Sequence, residues 1–496
     1  MKHPVLFFSL ILVSQVSVAQ VDESPFQSQM SNMREEFDQF KRNARQQFSE
    51  ERRKAEADFA AFRKKANEEF AAAVERAWRE MSVQPAEPKP KEPEPPKPPA
   101  PVPNRIPTTV QLPQAQVTPT PAKPQVVPPP AVPEADAATP TMQFAYYGVT
   151  CDVHTSTDGL GFRLAAVDEK SVAAAWKTLS QEKYDGLLHD CIAQRDALHL
   201  SDWGYMRLLG SMSERLLGKG SNEAVLLQMY LLAQSGYRVR MARTDSKLVL
   251  LMPFSNKIYS YSYLTIDNVK HYLITHDKLQ NLRVCEVKFP REQVADIRMG
   301  QLPTLGGAKR SCTLAAENFG VMRATVAVEE RLAAFLNDYP LSDSWEYYAL
   351  AGLSDGVKAT LYPALKKQME GKSKKKAAAM LLDFVQTAFD YATDQDQFGY
   401  ERPLFGDESF YYRKNDCEDR SILYSILVRD LLGLDVVLVH WPGHLGTAVA
   451  FPDAVEGDYF VVDGRRYTVC DPTYIGAGIG ETMPKFKNAS ANLVRL

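Results

Sequence analysis

Cysteine is scarce. The six at positions 151, 191, 285, 312, 417 and 470 are too few for a disulfide framework in a chain of 496 residues, though one or two bridges would fit an oxidising compartment. Their spacings match no paired CxxC pattern, so a structural zinc site is excluded as well. Charge of one sign is also missing: Lys+Arg 58 against Asp+Glu 61 leaves a net charge of −3, which argues against nucleic acid as a partner and favours a protein or peptide substrate. Beyond the N-terminus no run approaches the roughly 18 apolar residues of a membrane span. A hydrophobic content of 45% nevertheless allows a sizeable core, so the chain is not disordered throughout.

The N-terminus has the layout of a signal peptide. Lys2 and His3 precede an apolar stretch from Val5 to Val13, and small residues follow at Ser17 and Ala19. Residues 1–19 are therefore expected to be removed, leaving a protein without a membrane span in the periplasm or the secreted fraction. No cysteine follows the apolar stretch, which disfavours lipid attachment.

Three regions follow. From Phe37 the sequence falls into blocks of eleven that open at Phe37, Phe48, Phe59 and Phe70 and carry alanine at the eighth place, at Ala44, Ala55, Ala66 and Ala77. Eleven residues in three turns keeps this Phe/Ala column on one stripe of a helix, predicted over residues 22–82 and roughly 90 Å long. A lone helix cannot bury such a stripe, so it should pair with a copy of itself, with its own domain or with a partner. Residues 83–140 hold 20 of the 32 prolines and read as an extended, semi-rigid spacer. From about Met142 helix and strand patterns mix, which makes the class α+β. Strand-like runs span 144–153 and 321–328, and helical runs span 203–217 and 377–393.

The α+β region reads as a duplication. Residues 222–243 form a helix, Gly236 and a strand, and residues 419–440 repeat this with Gly433. Leu248–Phe254 matches Leu445–Phe451 at a spacing of 197, and the turn Asp267-Asn268 matches Asp463-Gly464 within one residue. Domains are thus expected over 141–320 and 321–496. On this alignment Cys417 faces Gly220, His444 faces Lys247 and Asp471 falls near His276, so the first copy lacks reactive groups.

The chemistry lies in the second copy. Cys417, in the run Asn415-Asp416-Cys417-Glu418-Asp419-Arg420-Ser421, opens an apolar helix, where unpaired N–H groups and the dipole favour thiolate. His444 begins the second strand after that helix and would take the thiol proton, and Asp471, at the end of a later strand, would orient the imidazole. Competing readings give the base to His440 or the acid to Asp463, or pair Cys417 with Cys470 in a disulfide. The backbone N–H of Cys417 and one donor among Gln397, Tyr400, Tyr411 and Tyr412 would form an oxyanion hole.

The order Cys, helix, strand, His-strand, Asp471-Pro472-Thr473 resembles the transglutaminase-like superfamily, over residues 375–485. The resemblance implies tandem papain-related domains, a Cys-His-Asp triad and a thioester route. The Asp-Cys-Glu-Asp run is also similar to that of periplasmic transglutaminase-like cysteine proteinases, whose carboxylates bind calcium. That implies a calcium site at Asp416, Glu418 and Asp419, although both intervals of the triad, 27 residues each here, differ from that group. No other cofactor is implied. The expected activity is that of a cysteine protease or amidase; the alternatives are an amine-transferring transglutaminase and a non-catalytic scaffold that uses paired domains to bind a partner.

Overall fold

The computed structural model describes residues 24–90, 109–124, 126–128, 132, 134, 139–155, 163–181, 184–318 and 322–496. The expected signal peptide lies outside them. Two units are present, residues up to 62 and residues 63–496. Among the described residues no helix is long and apolar enough to cross a membrane.

The helix expected over 22–82 is found as α1 (Ser24–Val74). It stops short because Trp78–Ser82 leaves the helix to pair as a strand, and the Trp78 indole N–H donates to the Val74 carbonyl at the helix end. The last turns belong to the core of the larger unit. Ala66, Phe70, Ala71 and Val74 are buried, and the Phe70 ring lies 4.6 Å from that of Trp176 and 5.5 Å from that of Phe289. Asn67 is satisfied there by Gln234 and by the Trp176 indole, as a buried amide must be.

The strands run in order from β1 (Trp78–Ser82), β2 (Gln114–Val117), β3 (Thr141–Tyr146) and β4 (Val149–His154) to β5 (Arg240–Arg243), β6 (Leu248–Met252), β7 (Tyr263–Ile266), β8 (Val269–Leu273) and β9 (Asn281–Cys285). Next come β10 (Lys309–Ala315), β11 (Arg323–Glu329), β12 (Asp390–Tyr391) and β13 (Lys414–Asn415). The series closes with β14 (Val436–Trp441), β15 (His444–Val449), β16 (Tyr459–Val462), β17 (Arg465–Cys470) and β18 (Ala491–Arg495). The fold is mixed α+β. The strand expected over 144–153 is in fact the hairpin β3–β4, because Tyr147 and Gly148 both adopt positive φ and reverse the chain.

Two six-stranded sheets dominate, and they share one strand order. The first runs β1-β9-β5-β6-β8-β7 and the second β2-β18-β14-β15-β17-β16. In each, a buried helix, Asn222–Gln234 or Cys417–Leu432, leads into the first central strand. In each, the last hairpin turns on two residues of positive φ, Asp267-Asn268 and Asp463-Gly464. Only the edge strand differs: β1 joins antiparallel and β2 parallel.

β1 ends just before the proline-rich segment and β2 lies within it, and the described parts of that segment bond to the globular unit rather than standing off as the extended spacer expected. Val83 donates to the Gln280 carbonyl, and Glu87 bonds Lys257 and Lys270. Residues 109–118 line the second sheet, with Leu112 and Thr118 donating to Tyr459 and Leu493. Further on, Val127 donates to Asp202 and accepts from Arg195. Proline removes a donor only at its own position, so the proline-free Gln114–Val117 can still pair at an edge.

Leu112 is 2% exposed beneath this strap. Leu112→Ala is expected to cost about 2–4 kcal/mol in urea denaturation, whereas Val110→Ala at an exposed neighbouring site changes it little.

Candidate active site

The Cys417–Leu432 helix is buried on all sides from Cys417 to Val428. Its start is tied down by Arg420, whose guanidinium donates to Asn415 Oδ1 at 3.0 Å, to the Gln386 carbonyl at 3.1 Å and to the Phe389 carbonyl at 3.0 Å. Ser421 Oγ donates to the Leu445 carbonyl at 2.8 Å, which sets the helix against the first residues of β15. The Cys417 thiol therefore meets the strand that begins with His444. It is 5% exposed, donates to Glu418 Oε2 at 3.2 Å and faces the Leu445 backbone N–H.

The expected preference for thiolate is not what this environment gives. Burial pushes the thiol well above its ordinary range, the charges of Glu418 and Asp416 push it further, and the Leu445 N–H opposes them only in part. A helix N-terminus supplies a fraction of a charge, whereas the adjacent carboxylates can supply whole ones.

His444 and Asp471 are brought together. Nε2 lies 2.8 Å from Asp471 Oδ2, and the two side chains are 0% and 1% exposed. Asp471 is held in turn, because its Oδ1 accepts from the N–H groups of Thr473 and Tyr474, and Gln386 Nε2 donates to the carbonyls of Asp471, Tyr474 and Ala477. The imidazole stacks on Phe486, at 5.1 Å and 7°, and on Trp441, at 5.9 Å and 19°. Nδ1 is buried and makes no hydrogen bond, so the thiol and the imidazole are neighbours through residue 445 without being bonded to each other. Alternation along β15 explains this: Cys417 packs with Leu438, Leu445 and Val494, while the ring of His444 turns toward Trp441 and Phe486.

The competing candidates separate. His440 pairs with Leu445 across the strands, on the Cys417 side, and its ring stacks on Trp345 at 4.7 Å. Asp463 sits in the exposed β16–β17 turn and pairs with Arg495, away from the site. All six cysteines are free thiols, so no disulfide joins Cys417 to Cys470. Among the candidate oxyanion donors, Tyr412 bonds Asn337, Tyr411 lies under the Arg310 guanidinium and Tyr400 is 48% exposed, whereas the Gln397 amide nitrogen is buried without a partner.

Carboxylates crowd the same helix start. Oxygens of Asp394, Asp416 and Asp419 lie within 4.8 Å of one another, as do those of Asp394, Glu401 and Glu418. Burial and mutual repulsion push Asp394 up to about 9 and Asp419 up to about 8, and Asp416 rises well above the usual range. Asp416 Oδ1 is buried with no hydrogen-bond partner. An all-oxygen donor set of this kind suits a hard divalent cation such as calcium, and the unpartnered Oδ1 supplies a ligand atom for one.

The corresponding places in the first half are different. Gly220 stands at the helix start with φ of +69°, and Lys247 pairs with Asp277 at 2.6 Å. His276 packs against the Tyr261 ring.

No protein-family model matches the chain, and a search of curated proteins returns no match.

Several members of the site carry no sequence signal. Asp394, Glu401 and Tyr391 precede the motif by 16–26 residues and reach it through β12 and the loop that follows it. The Tyr391 hydroxyl is buried without a partner, and burial followed by the charges of Cys417, Asp416 and Glu418 raises it, so it stands beside the thiol. Phe486 and Gln386 lie in segments with no recognisable motif.

Gln386→Leu would leave three buried carbonyls short of a donor. A loss of about 2–4 kcal/mol in denaturant melts is expected, against a change near zero for a surface glutamine such as Gln39.

Proposed function

We propose that this chain is an exported thiol hydrolase with tandem transglutaminase-like domains, acting on an amide of a protein or peptide. The observation that carries the reading is the buried His444–Asp471 pair, which leaves Nδ1 available on a strand whose next residue meets the Cys417 thiol. The common strand order of the two sheets supports the tandem arrangement, with the first half lacking the reactive groups.

In this reaction the Sγ–H proton passes to His444 Nδ1 as sulfur attacks the amide carbonyl. Collapse of the tetrahedral intermediate breaks the C–N bond, the imidazolium returns its proton to the departing amine, and a thioester remains. Water then attacks the thioester, giving its proton to His444, and the thiol is restored as acid leaves. Asp471 keeps the imidazole in the tautomer with its proton on Nε2 and steadies the imidazolium. The backbone N–H of Cys417, with Gln397 or Tyr391, would receive the oxyanion. Because the ring of His444 stacks on Trp441 and Phe486 while the thiol packs on the Leu445 face of β15, the sulfur must first turn from Glu418 and the imidazole must leave its stack at the start of the strand to face it.

Asp394, Glu401, Asp416, Glu418 and Asp419 would hold a calcium ion, whose charge would offset their repulsion beside the thiol. Its role is structural and electrostatic; no proton moves through it.

A non-catalytic scaffold is the second reading. It is favoured by two observations: the thiol is bonded to Glu418, and the His444 ring stacks on Phe486.

The two part company in peptide-library hydrolysis and thiol labelling at neutral pH. The enzyme reading expects Cys417→Ala to abolish turnover and His444→Ala to lower it by about 10²–10⁴, with His440→Ala far milder. Labelling of Cys417 no faster than an ordinary buried thiol, unchanged by His444→Ala, would favour the scaffold. For the cation, isothermal titration with calcium should show binding that Asp416→Asn weakens at least tenfold, and chelation should lower the melting temperature.

A further inference from the structure

The Phe/Ala column of α1 is the sequence feature that the proposed chemistry leaves unused. Its C-terminal end is buried on the chain's own domain, at Ala66 and Phe70. Toward the N-terminus the stripe is exposed. Met33, Phe37, Phe40 and Phe48 are 60%, 57%, 69% and 70% exposed, and they are four of the eight large apolar residues exposed among the described residues. All four fall on one stripe: Phe37 and Phe48 at the first place of the eleven-residue block, Phe40 at the fourth, and Met33 at the eighth together with Ala44 and Ala55. Glu51, at the fourth place of the second block, is the one charged residue on it.

The flanks of the stripe say what covers it. At three turns per eleven residues each step is about 98°, so the fifth place lies about 33° to one side of the first and the eleventh about 98° to the other. The fifth place is occupied by Lys41, Arg52 and Arg63, and the eleventh by Glu36, Gln47 and Asp58. One edge is thus basic and the other acidic or neutral. In a parallel pair of identical helices opposite edges meet, whereas in an antiparallel pair each edge meets itself. The parallel pair sets Glu36 against Lys41 of the second copy; the antiparallel pair sets the basic edge against itself. Phenylalanine at the first place and alanine at the eighth also lets large side chains pack beside small ones, and only a helix of the same period keeps step with an eleven-residue repeat over this length.

We propose that residues 33–55 pair with the same segment of a second copy of this chain, in parallel and in register, as a right-handed two-stranded coil. The occupant is the chain itself rather than a foreign helix.

Sedimentation of the purified full-length protein over a concentration series tests this. Wild type is expected to be a dimer and the double variant Phe37→Ser/Phe48→Ser a monomer, with the thermal melt of the globular unit unchanged because both side chains are exposed. A wild-type monomer, a higher oligomer, or a dimer that survives the double variant would overturn the proposal. Orientation is read from Ala44→Cys and Ala55→Cys, each made singly and mildly oxidised. Both should form disulfide-linked dimers while wild type forms none. An antiparallel pair brings at most one of two such positions together, so a cross-link at only one of them, or at neither, would overturn the parallel register.

Discussion

The buried guanidinium of Arg420 is the interaction on which the candidate site depends. At 1% exposure an arginine is expensive unless its donors are used, and here they bind Asn415, Gln386 and Phe389, while the cation lies 5.4 Å above the Tyr391 ring. Three segments distant in sequence, the helix ending at Thr387, the β12 region and the start of the Cys417 helix, are thereby fixed to one point. Gln386 extends the same junction, since its carbonyl accepts from Arg420 and its amide holds the Asp471 turn. The thiol end and the carboxylate end of the site therefore share a single anchor.

That anchor comes with a burden of charge. Asp394, Asp416, Glu418 and Asp419 are each 5% exposed or less, and the nearby Arg402 is committed to Glu408. Without compensation such a group must hold protons, as the raised Asp394 and Asp419 indicate. Helix-dipole stabilisation explains acidic residues in a first turn, but it does not explain Asp394 and Glu401 converging on them from another segment. Convergence from outside the helix goes beyond what capping requires.

Some of this was legible in the sequence because it is local. A helix, a glycine and two strands recur at a spacing of 197 and an Asp-led turn within one residue of it, and turn chemistry with alternation is enough to bring His444 and Asp471 onto neighbouring strands. Alternation likewise sent Cys470 away from Asp471, toward Tyr424. The strap was not legible: proline content reads as an extended spacer, and nothing in residues 109–118 announces the sheet edge they join. Phe486 was invisible for the same reason, since stacking on His444 is a product of how the C-terminal segment returns over the sheet. The thiol's environment was misread because a dipole argument counts only the helix, whereas burial and the neighbouring carboxylates dominate.

A site this enclosed has a mechanical consequence. Phe486 belongs to a single 3₁₀ turn, Pro484–Phe486, at the end of a segment with glycines at 476, 478 and 480. Gly480 is pinned where its backbone crosses that of Gly457: a side chain at either position would collide with the other's Cα. The pinned crossing lies next to β17 and holds the Asp471 end of the site, while the stretch from 481 to 490 that carries Phe486 has only the short 3₁₀ turn as regular structure. Rigidity is thus concentrated on the carboxylate and adaptability on the aromatic cover.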